Sequence, residues 1–249
     1  LVGVVVLFFV TIVDDNIVRQ LLGNESWHPK VLEAGMYQSP NLNESQNNAV
    51  ASMLADNPLT ILHGPPGTGK TTTLIAGIQA LLKKDKRQIL VVTPSNTAVD
   101  ILAEKLDELG VSVLRIGNPV RVSDHLQELT LDAKIDKHIA NKERKNLEKQ
   151  VRAYTDMAHK YKRNFGKSER DQRKALFDEA RKLRKEIDKI QDYIIDDVLN
   201  KVEVIAATLV GANHYSIRER QYHTVIIDEA AQALEPACWV PILKADRVI

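Results

Sequence analysis

The stretch Gly64-Pro65-Pro66-Gly67-Thr68-Gly69-Lys70-Thr71 has the residue types and spacing of a phosphate-binding loop. Glycines allow backbone N–H groups to wrap around a phosphate, and a helix that starts behind the loop adds a favourable dipole. We expect Lys70 to reach the β- and γ-phosphates of a nucleotide and the Thr71 hydroxyl to bind Mg²⁺. The candidate nucleotide contacts are Gly64, Pro65, Gly67, Thr68, Gly69, Lys70, Thr71 and Thr72.

Two acidic residues follow a second apolar run, which covers residues 225–227. Asp228 is placed to hold Mg²⁺ opposite Thr71. Glu229 is the natural base for an attacking water, and Gln232 could sense the γ-phosphate. A strand that is merely capped by acids is the plainer reading, but the phosphate-binding pattern in the same chain favours a catalytic pair.

The elements around these residues alternate between short β-branched runs and helical spacing, which predicts a parallel sheet covered by helices on both faces. We therefore expect an α/β fold. Residues 59–62 read as a buried strand before the phosphate loop, and 71–82 as the helix behind it. Further strands are predicted at 89–93, 111–116, 202–208 and 224–228, with a helix at 97–109.

The residues before the phosphate loop are harder to interpret. A helix begins near Gln46, and a glutamine amide there could both donate to and accept from an adenine edge. Residues 14–22 have the spacing of a short amphipathic helix. The apolar run 1–13 fits a strand or a buried helix, and it is too short to span a bilayer.

Residues 123–200 interrupt the alternation with two long runs of helical spacing. Gly166 and Ser168 between them suggest a turn and an N-cap, so we expect an antiparallel helical hairpin with arms roughly 40 Å long. Residues 134–189 contain 19 Lys and Arg against ten Asp and Glu, whereas the rest of the chain has 15 against 23. The basic charge could serve simple solvation or nucleic-acid binding, and the pattern does not choose.

Composition sets broader limits. With 249 residues, of which 44% are hydrophobic, the chain can bury one full core and carry an appended element. The seven histidines show no metal-ligand spacing, so no zinc site is expected. The single cysteine, Cys238, fits a buried structural thiol in a reducing, cytoplasmic compartment, and we expect no membrane association.

Taken together, the motifs resemble those of superfamily 1 helicases. The match is closest to the branch that contains the nonsense-mediated-decay helicase and the immunoglobulin-mu-binding-protein helicase, and it covers residues 42–249. Besides the phosphate loop, it rests on Gln46, on Thr-Pro-Ser-Asn-Thr-Ala-Val-Asp at 93–100, on Arg-Ile-Gly-Asn at 115–118, on Ala-Thr-Leu-Val-Gly at 207–211 and on Asp-Glu-Ala-Ala-Gln at 228–232.

The resemblance implies a RecA-like P-loop NTPase domain at 41–249, with 123–200 as an inserted accessory element and 1–40 as a remnant or linker. It implies ATP and Mg²⁺ as cofactors, Gln46 as an adenine contact, and ATP hydrolysis coupled to 5′-to-3′ movement on single-stranded DNA or RNA. It also implies a strand channel that is lined by Thr93, Pro94, Ser95, Asn96 and Thr208. Small hydroxyl and amide side chains suit contacts to phosphates, which do not distinguish DNA from RNA.

The chain departs from the family pattern at its end, because the next motif and the second RecA-like domain with its arginine finger do not follow. We expect that domain to be a partner from the same parent chain, and this chain alone to be weakly active or inactive. A binding module without turnover is therefore an alternative. A small-molecule kinase would share the phosphate loop, but it would lack the Asp-Glu-Ala-Ala-Gln and 93–100 motifs.

Overall fold

The computed structural model describes Arg19 and residues 37–117, 124–160 and 166–249. These residues form two compact units: a sheet unit that runs to Thr130 and resumes with Val202–Ile249, and a helical unit, Leu131–Lys201. The elements expected at 1–13 and 14–22 lie outside the described residues except for Arg19, and so does Asn118 of the 115–118 motif.

In the sheet unit, helices and strands alternate along most of the chain, whereas the helical unit contains helices only among its described residues. In chain order they are α1 (Glu44–Leu54), α2 (Lys70–Lys84), β1 (Ile89–Thr93), α3 (Asn96–Glu108), β2 (Val113–Arg115), α4 (Asp124–Gln127), α5 (Leu131–Lys137), α6 (Asn141–His159), α7 (Lys167–Lys201), β3 (Val204–Thr208), β4 (Tyr222–Ile227), α8 (Glu235–Ile242) and β5 (Ala245–Val248). Short 3₁₀ turns, Val210–Asn213 and Ala230–Gln232, follow β3 and β4.

The sheet has five parallel strands in the order β2-β3-β1-β4-β5. The central strand β1 is buried along its whole length, as expected for a strand between two layers of helices. The α/β fold class with a parallel sheet is thus confirmed. Because all strands run the same way, the loops after β1, β3 and β4 gather at one edge, where ligands bind in such sheets.

Apolar faces of α2 and α3 form the core against the sheet, with Ile78, Leu102 and Leu106 almost fully buried. The Ser95 hydroxyl accepts a hydrogen bond of 3.2 Å from the Ala98 N–H and so caps α3. This packing fixes the start of α3, and with it the loop that leaves β1.

The strand predicted at 59–62 is wrong. Only Leu59 makes a ladder bridge, to Val248, while Ile61 is 79% exposed. Among the described residues, this segment and Pro58 before it form backbone hydrogen bonds with Val248 of β5: the Thr60 N–H donates to the Val248 carbonyl, and the Pro58 carbonyl accepts from the Val248 N–H. A segment at the edge of a sheet pairs with a strand on one side only, so it can leave the sheet after a single bridge. An apolar run in the sequence does not show on how many sides the segment has a neighbouring strand. The strand predicted at 111–116 is shorter than expected, at Val113–Arg115.

In the helical unit, α6 and α7 pack side by side in opposite directions. The rings of His159 and Phe177 lie 5.6 Å apart, while His138 Nε2, just before α6, is 2.9 Å from Asp197 Oδ2 near the far end of α7. Ser168 lies inside α7 rather than capping it. The seam buries residues at helical spacing, namely Val151, Ala158, Ala180 and Ile194.

Candidate functional site

The phosphate loop, residues 64–69, depends on two glycines in left-handed backbone conformations. Gly67 and Gly69 have φ of 80° and 78°, a conformation that residues with a side chain rarely adopt. At Gly69, an added Cβ would also lie 2.7 Å from Gln46 Nε2. Gly69 precedes the first residue of α2, Lys70, so the loop delivers the lysine and the helix N-terminus to the same place.

Lys70 is folded over its own loop. Its ammonium donates to the carbonyl oxygens of Gly64 at 3.0 Å and Pro65 at 3.2 Å. The Thr68 hydroxyl also donates to Pro65, at 2.8 Å. The carbonyl acceptors of Lys70 are neutral, so negatively charged phosphate oxygens can replace them with stronger hydrogen bonds. Thr71 and Thr72 occupy the first turn of α2, with Thr71 half-buried and Thr72 exposed.

Gln46 touches the phosphate loop from α1. Its Oε1 accepts from the Asn43 N–H at 3.0 Å, and its backbone N–H donates to Asn43 Oδ1 at 2.9 Å, which together form a capping box. Its Nε2 donates to the Thr68 carbonyl at 3.0 Å. Both ends of the amide are thus engaged within the protein, and the adenine contact stays a prediction. The Asn-x-x-Gln spacing was a readable sign of the cap that sequence reasoning passed over.

The acidic pair lies at the end of β4. The Asp228 N–H donates to the Val92 carbonyl at 2.9 Å, which continues the sheet, and its Oδ1 accepts from the Glu229 N–H at 3.0 Å. Burial, reinforced by the charge of Glu229, raises the pKa of Asp228, while the Lys70 ammonium acts in the opposite direction. The charges of Lys70 and Asp228 therefore interact across the site.

Glu229 has φ of 56°, a left-handed conformation that costs a non-glycine residue roughly 1–2 kcal/mol. Among the described residues it is the one non-glycine with positive φ. It is exposed, as is Gln232, whose N–H donates to the Glu229 carbonyl at 2.9 Å. Strain of this kind concentrates at functional sites, and here it falls on the residue that follows Asp228 at the end of β4.

A cavity of about 350 Å³ joins these elements, within the range of small-molecule sites. It brings together Gln46, Gly64, Pro65, Thr68, Lys70 and Asp228. Asn43, His63, Leu74 and Ile226 also line it and were not predicted as site residues. Gly67, Gly69, Thr71, Thr72, Glu229 and Gln232 are not part of its lining.

The residues expected to contact a strand lie after β1 and β3. Thr93 and Thr208 are register partners, so the two loops leave the sheet side by side. Thr93 is only 1% exposed and its hydroxyl donates to the Ser95 carbonyl at 2.8 Å, which leaves it no surface for a direct contact. Thr208 is half-buried and its Oγ1 accepts from the Gly211 N–H at 3.0 Å. Pro94 is half-buried and Ser95 is exposed.

Asn96 begins α3 and is held by Arg115, the last residue of β2. Arg115 Nη2 donates to Asn96 Oδ1 at 3.0 Å. The Arg115 motif was noted in the sequence only as part of the resemblance, and its burial and its partners 15 and 19 residues away could not be read from it.

Cys238 lies on α8 and is half-buried rather than fully buried as predicted. Burial, with the nearby charge of Glu235 adding to it, raises the pKa of its thiol, which lowers the thiolate fraction at neutral pH. In the part of the chain that the structure describes, every helix is too short or too polar to cross a membrane.

The model of the AAA domain family matches residues 41–249. The chain belongs to this family. Known relatives include DNA polymerase alpha-associated DNA helicase A of Schizosaccharomyces pombe, 33% identical over 86% of this chain and 31% of that protein. DNA-binding protein SMUBP-2 of Mesocricetus auratus is 34% identical over 94% of this chain and 24% of its own length. ATP-dependent helicase NAM7 of Saccharomyces cerevisiae is 37% identical over 84% and 19%.

These relatives confirm the resemblance to the first RecA-like domain of superfamily 1 helicases, in the branch named above. Membership of this AAA domain family implies the use of a nucleotide. The chain spans between 19% and 31% of the length of these three relatives.

Proposed function

We propose that this AAA domain is the ATP-binding first motor domain of an ATP-dependent helicase or translocase that moves on single-stranded DNA or RNA. The observation that carries the proposal is the cavity beside the phosphate loop, which is lined both by Lys70 at the start of α2 and by Asp228 at the end of β4. The charge of Lys70 also acts on Asp228. A lysine for phosphates opposite a carboxylate for the metal is the arrangement that phosphoryl transfer needs.

The donor set fits ATP with Mg²⁺. The carboxylate of Asp228 and the hydroxyl of Thr71 are oxygen ligands of the kind that Mg²⁺ prefers. At Gly67 no atom lies within 4 Å of the position that a Cβ would take, which leaves room for a phosphate oxygen beside the backbone. When bound, Mg²⁺ supplies positive charge to the phosphate oxygens. Ionisation of Asp228, which burial opposes, is favoured by a nearby cation.

In this mechanism Lys70 exchanges the Gly64 and Pro65 carbonyls for β- and γ-phosphate oxygens. Glu229 accepts a proton from the attacking water, and Gln232 responds to the γ-phosphate. Glu229 and Gln232 lie outside the cavity lining, so we propose that a second RecA-like domain of the parent chain completes the site and supplies an arginine finger.

On the same sheet edge, we propose that Pro94, Ser95, Asn96 and Thr208 contact phosphates of the strand. Thr93 acts from beneath, because its buried hydroxyl holds the Ser95 carbonyl. Such contacts position a strand without reading its bases. A strand of either DNA or RNA fits this chemistry.

We propose that the helical unit, which lies within the inserted element 123–200 apart from its last residue, adds phosphate contacts of its own. Some of its cations are paired within the helices, as in Arg144 with Glu148 and Lys182 with Glu179, but the excess of basic residues remains. We place the protein in a reducing, intracellular compartment because its one cysteine has no disulfide partner in the chain.

The deciding experiment measures ATP and ADP binding by calorimetry, and phosphate release with and without single-stranded DNA or RNA. We expect this chain to bind both nucleotides weakly with Mg²⁺, and strand-stimulated release to require the parent protein, since an arginine finger contributes roughly 10³–10⁵ in rate. Binding without any turnover in the parent protein would support the alternative, a module that only holds nucleotide. The absence of nucleotide binding would refute both readings.

The proposal for the helical unit has a separate test. Replacing residues 133–189 by a short glycine linker should leave nucleotide affinity unchanged and should make strand binding weaker and less dependent on salt, because each lost phosphate contact lowers the slope of log affinity against log salt by about 0.7 for single strands. An unchanged slope would mean that the basic charge serves solvation only.

A further inference from the structure

A buried arginine lies beneath the loop that leaves β1. Arg115 is only 1% exposed, and its Nε donates to Asp100 Oδ1 at 2.9 Å while its Nη2 donates to Asn96 Oδ1 at 3.0 Å. Asp100 and Asn96 lie one helical turn apart at the start of α3, so a single guanidinium grips both. The nucleotide cavity does not include this arginine.

The chemistry of the guanidinium decides how the Asn96 amide is oriented. Arginine has only donors, so the atom of Asn96 that faces it must be the amide oxygen. The amide nitrogen of Asn96 consequently points away from Arg115. Asn96 is half-buried, and in the described part of the chain its Nδ2 has no hydrogen bond. The group left over is a donor, which suits a phosphate oxygen.

The backbone at Gly117 leaves space for the guanidinium of Arg115. Gly117, two residues further on, has φ of 130°, and a Cβ there would lie 2.7 Å from Arg115 Nη1. The absence of a Cβ at position 117 thus makes room for the guanidinium, at a φ that favours glycine. Lysine would not reproduce this geometry, because its ammonium is a single point of charge and lacks the planar fork that directs Nε and Nη2 at two separate partners.

We propose that Arg115 is a positioning residue for strand binding: it orients the Asn96 side chain so that the amide N–H groups donate to a backbone phosphate of the nucleic acid. Arg115 acts entirely through Asn96 and does not touch the strand. This assignment rests on the proposed function, because it assumes that a single strand runs along the loops after β1 and β3.

A double-mutant cycle tests the assignment. The affinity of the chain for fluorescently labelled oligo-dT and oligo-rU of about 15 nucleotides is measured by anisotropy, and its affinity for ADP with Mg²⁺ by calorimetry. Asn96→Ala and Arg115→Lys should each weaken strand binding about tenfold, as expected for the loss of one hydrogen bond to a charged group. The double variant should bind no more weakly than Asn96→Ala, and ADP affinity should stay unchanged in all three.

A second substitution leaves the buried Arg115 unchanged. Asn96→Asp keeps the acceptor for Arg115 but turns a carboxylate oxygen outward in place of the N–H groups. It should weaken strand binding well beyond the tenfold loss of Asn96→Ala, because the new oxygen repels phosphate. Since Asn96 is half-buried at a helix start, this comparison remains decisive even if Arg115→Lys folds poorly.

Additive effects in the cycle would overturn the assignment, as would equal losses for Asn96→Ala and Asn96→Asp. A parallel loss of ADP affinity in Arg115→Lys would show that the arginine supports the sheet in general rather than Asn96. If the wild-type chain binds neither oligonucleotide, the strand contacts proposed for Pro94, Ser95, Asn96 and Thr208 fail and the assignment with them, a result that differs from wild-type binding with additive variants.

Discussion

Two pairs of loops lie beside the ends of the sheet strands and are held in different ways. The nucleotide loops, residues 64–69 with 228–229, are held by contacts that a ligand can replace, such as the Lys70 ammonium on the carbonyls of Gly64 and Pro65. The strand loops, residues 93–96 with 208, are held from below by the buried side chains of Thr93 and Arg115. The contacts of the nucleotide loops can thus be exchanged for contacts with a ligand, whereas the strand loops keep a fixed geometry.

The difference follows from what each pair has to bind. A nucleotide brings its own charge and metal, so its site needs strong groups that are free to change partners. A single strand that moves must be held by weak, repeated contacts to phosphates, and such contacts depend on the accurate placement of small side chains. Accordingly, substitutions in the nucleotide loops should alter chemistry more than stability, and substitutions beneath the strand loops should alter stability or strand affinity more than chemistry.

The largest effect is expected for Lys70→Ala. It removes a charge-assisted partner of the phosphates both in binding and in the transition state, so kcat/KM for ATP in the parent protein should fall by about 10³–10⁵-fold. Phosphate release measures the loss, and thermal unfolding of the ligand-free chain should barely change. Lys83→Ala, at the exposed far end of α2, is the matched control and should leave both quantities unaltered.

Glu229→Gln should separate hydrolysis from binding. Loss of the general base should lower kcat by about 10²–10⁴-fold, whereas ATP affinity should remain near that of the wild type. Calorimetry and phosphate release on the same preparation check the two halves. Wild-type turnover by this variant would remove Glu229 from the mechanism, and a large drop in Tm would contradict the claim that the nucleotide loops contribute little to stability.

Beneath the strand loops, Gly117→Ala should destabilise the chain by about 2–4 kcal/mol, because it combines a strained φ with a clash against the buried guanidinium of Arg115. Gly110→Ala is a close control: its φ is 77°, but an added Cβ would meet nothing within 4 Å, so only about 1 kcal/mol of backbone strain is expected. Urea unfolding of both variants provides the measurement. Equal costs would mean that the guanidinium yields easily and that the strand loops are not fixed.

The sequence predicted most of this arrangement, for identifiable reasons. The phosphate loop, the acids after β4 and the strands β1, β3 and β4 are local patterns, so residue spacing is enough to find them. The segment 59–62 was misjudged because an apolar run does not report which neighbours it has. The hydrogen bond from Arg115 to Asn96 could not be predicted for the same reason. It joins residues 19 positions apart, and no local pattern shows that Arg115 is buried.

The smallest effect is expected for Asp228→Asn in the ligand-free chain, and it should be a gain in stability. Burial raises the pKa of Asp228 above its ordinary value of 3.8, so folding favours the protonated form. The stability contributed by that proton is complete at pH values below 3.8 and is lost as the pH rises through the higher pKa of the folded chain.

Asparagine keeps an oxygen that can accept from the Glu229 N–H and never acquires the charge. The Tm of the variant should therefore exceed that of the wild type by about 1–3 °C near neutral pH, and the gap should shrink towards pH 4. Addition of ADP with Mg²⁺ should reverse the order, since the metal stabilises the ionised wild-type carboxylate and gains little from the amide. Thermal unfolding across this pH range, with and without ADP and Mg²⁺, makes the measurement. A variant that is less stable than the wild type at every pH would show that the half-buried carboxylate of Asp228 already has a stabilising partner without ligand. The nucleotide loops would then not be held by contacts that a ligand can replace.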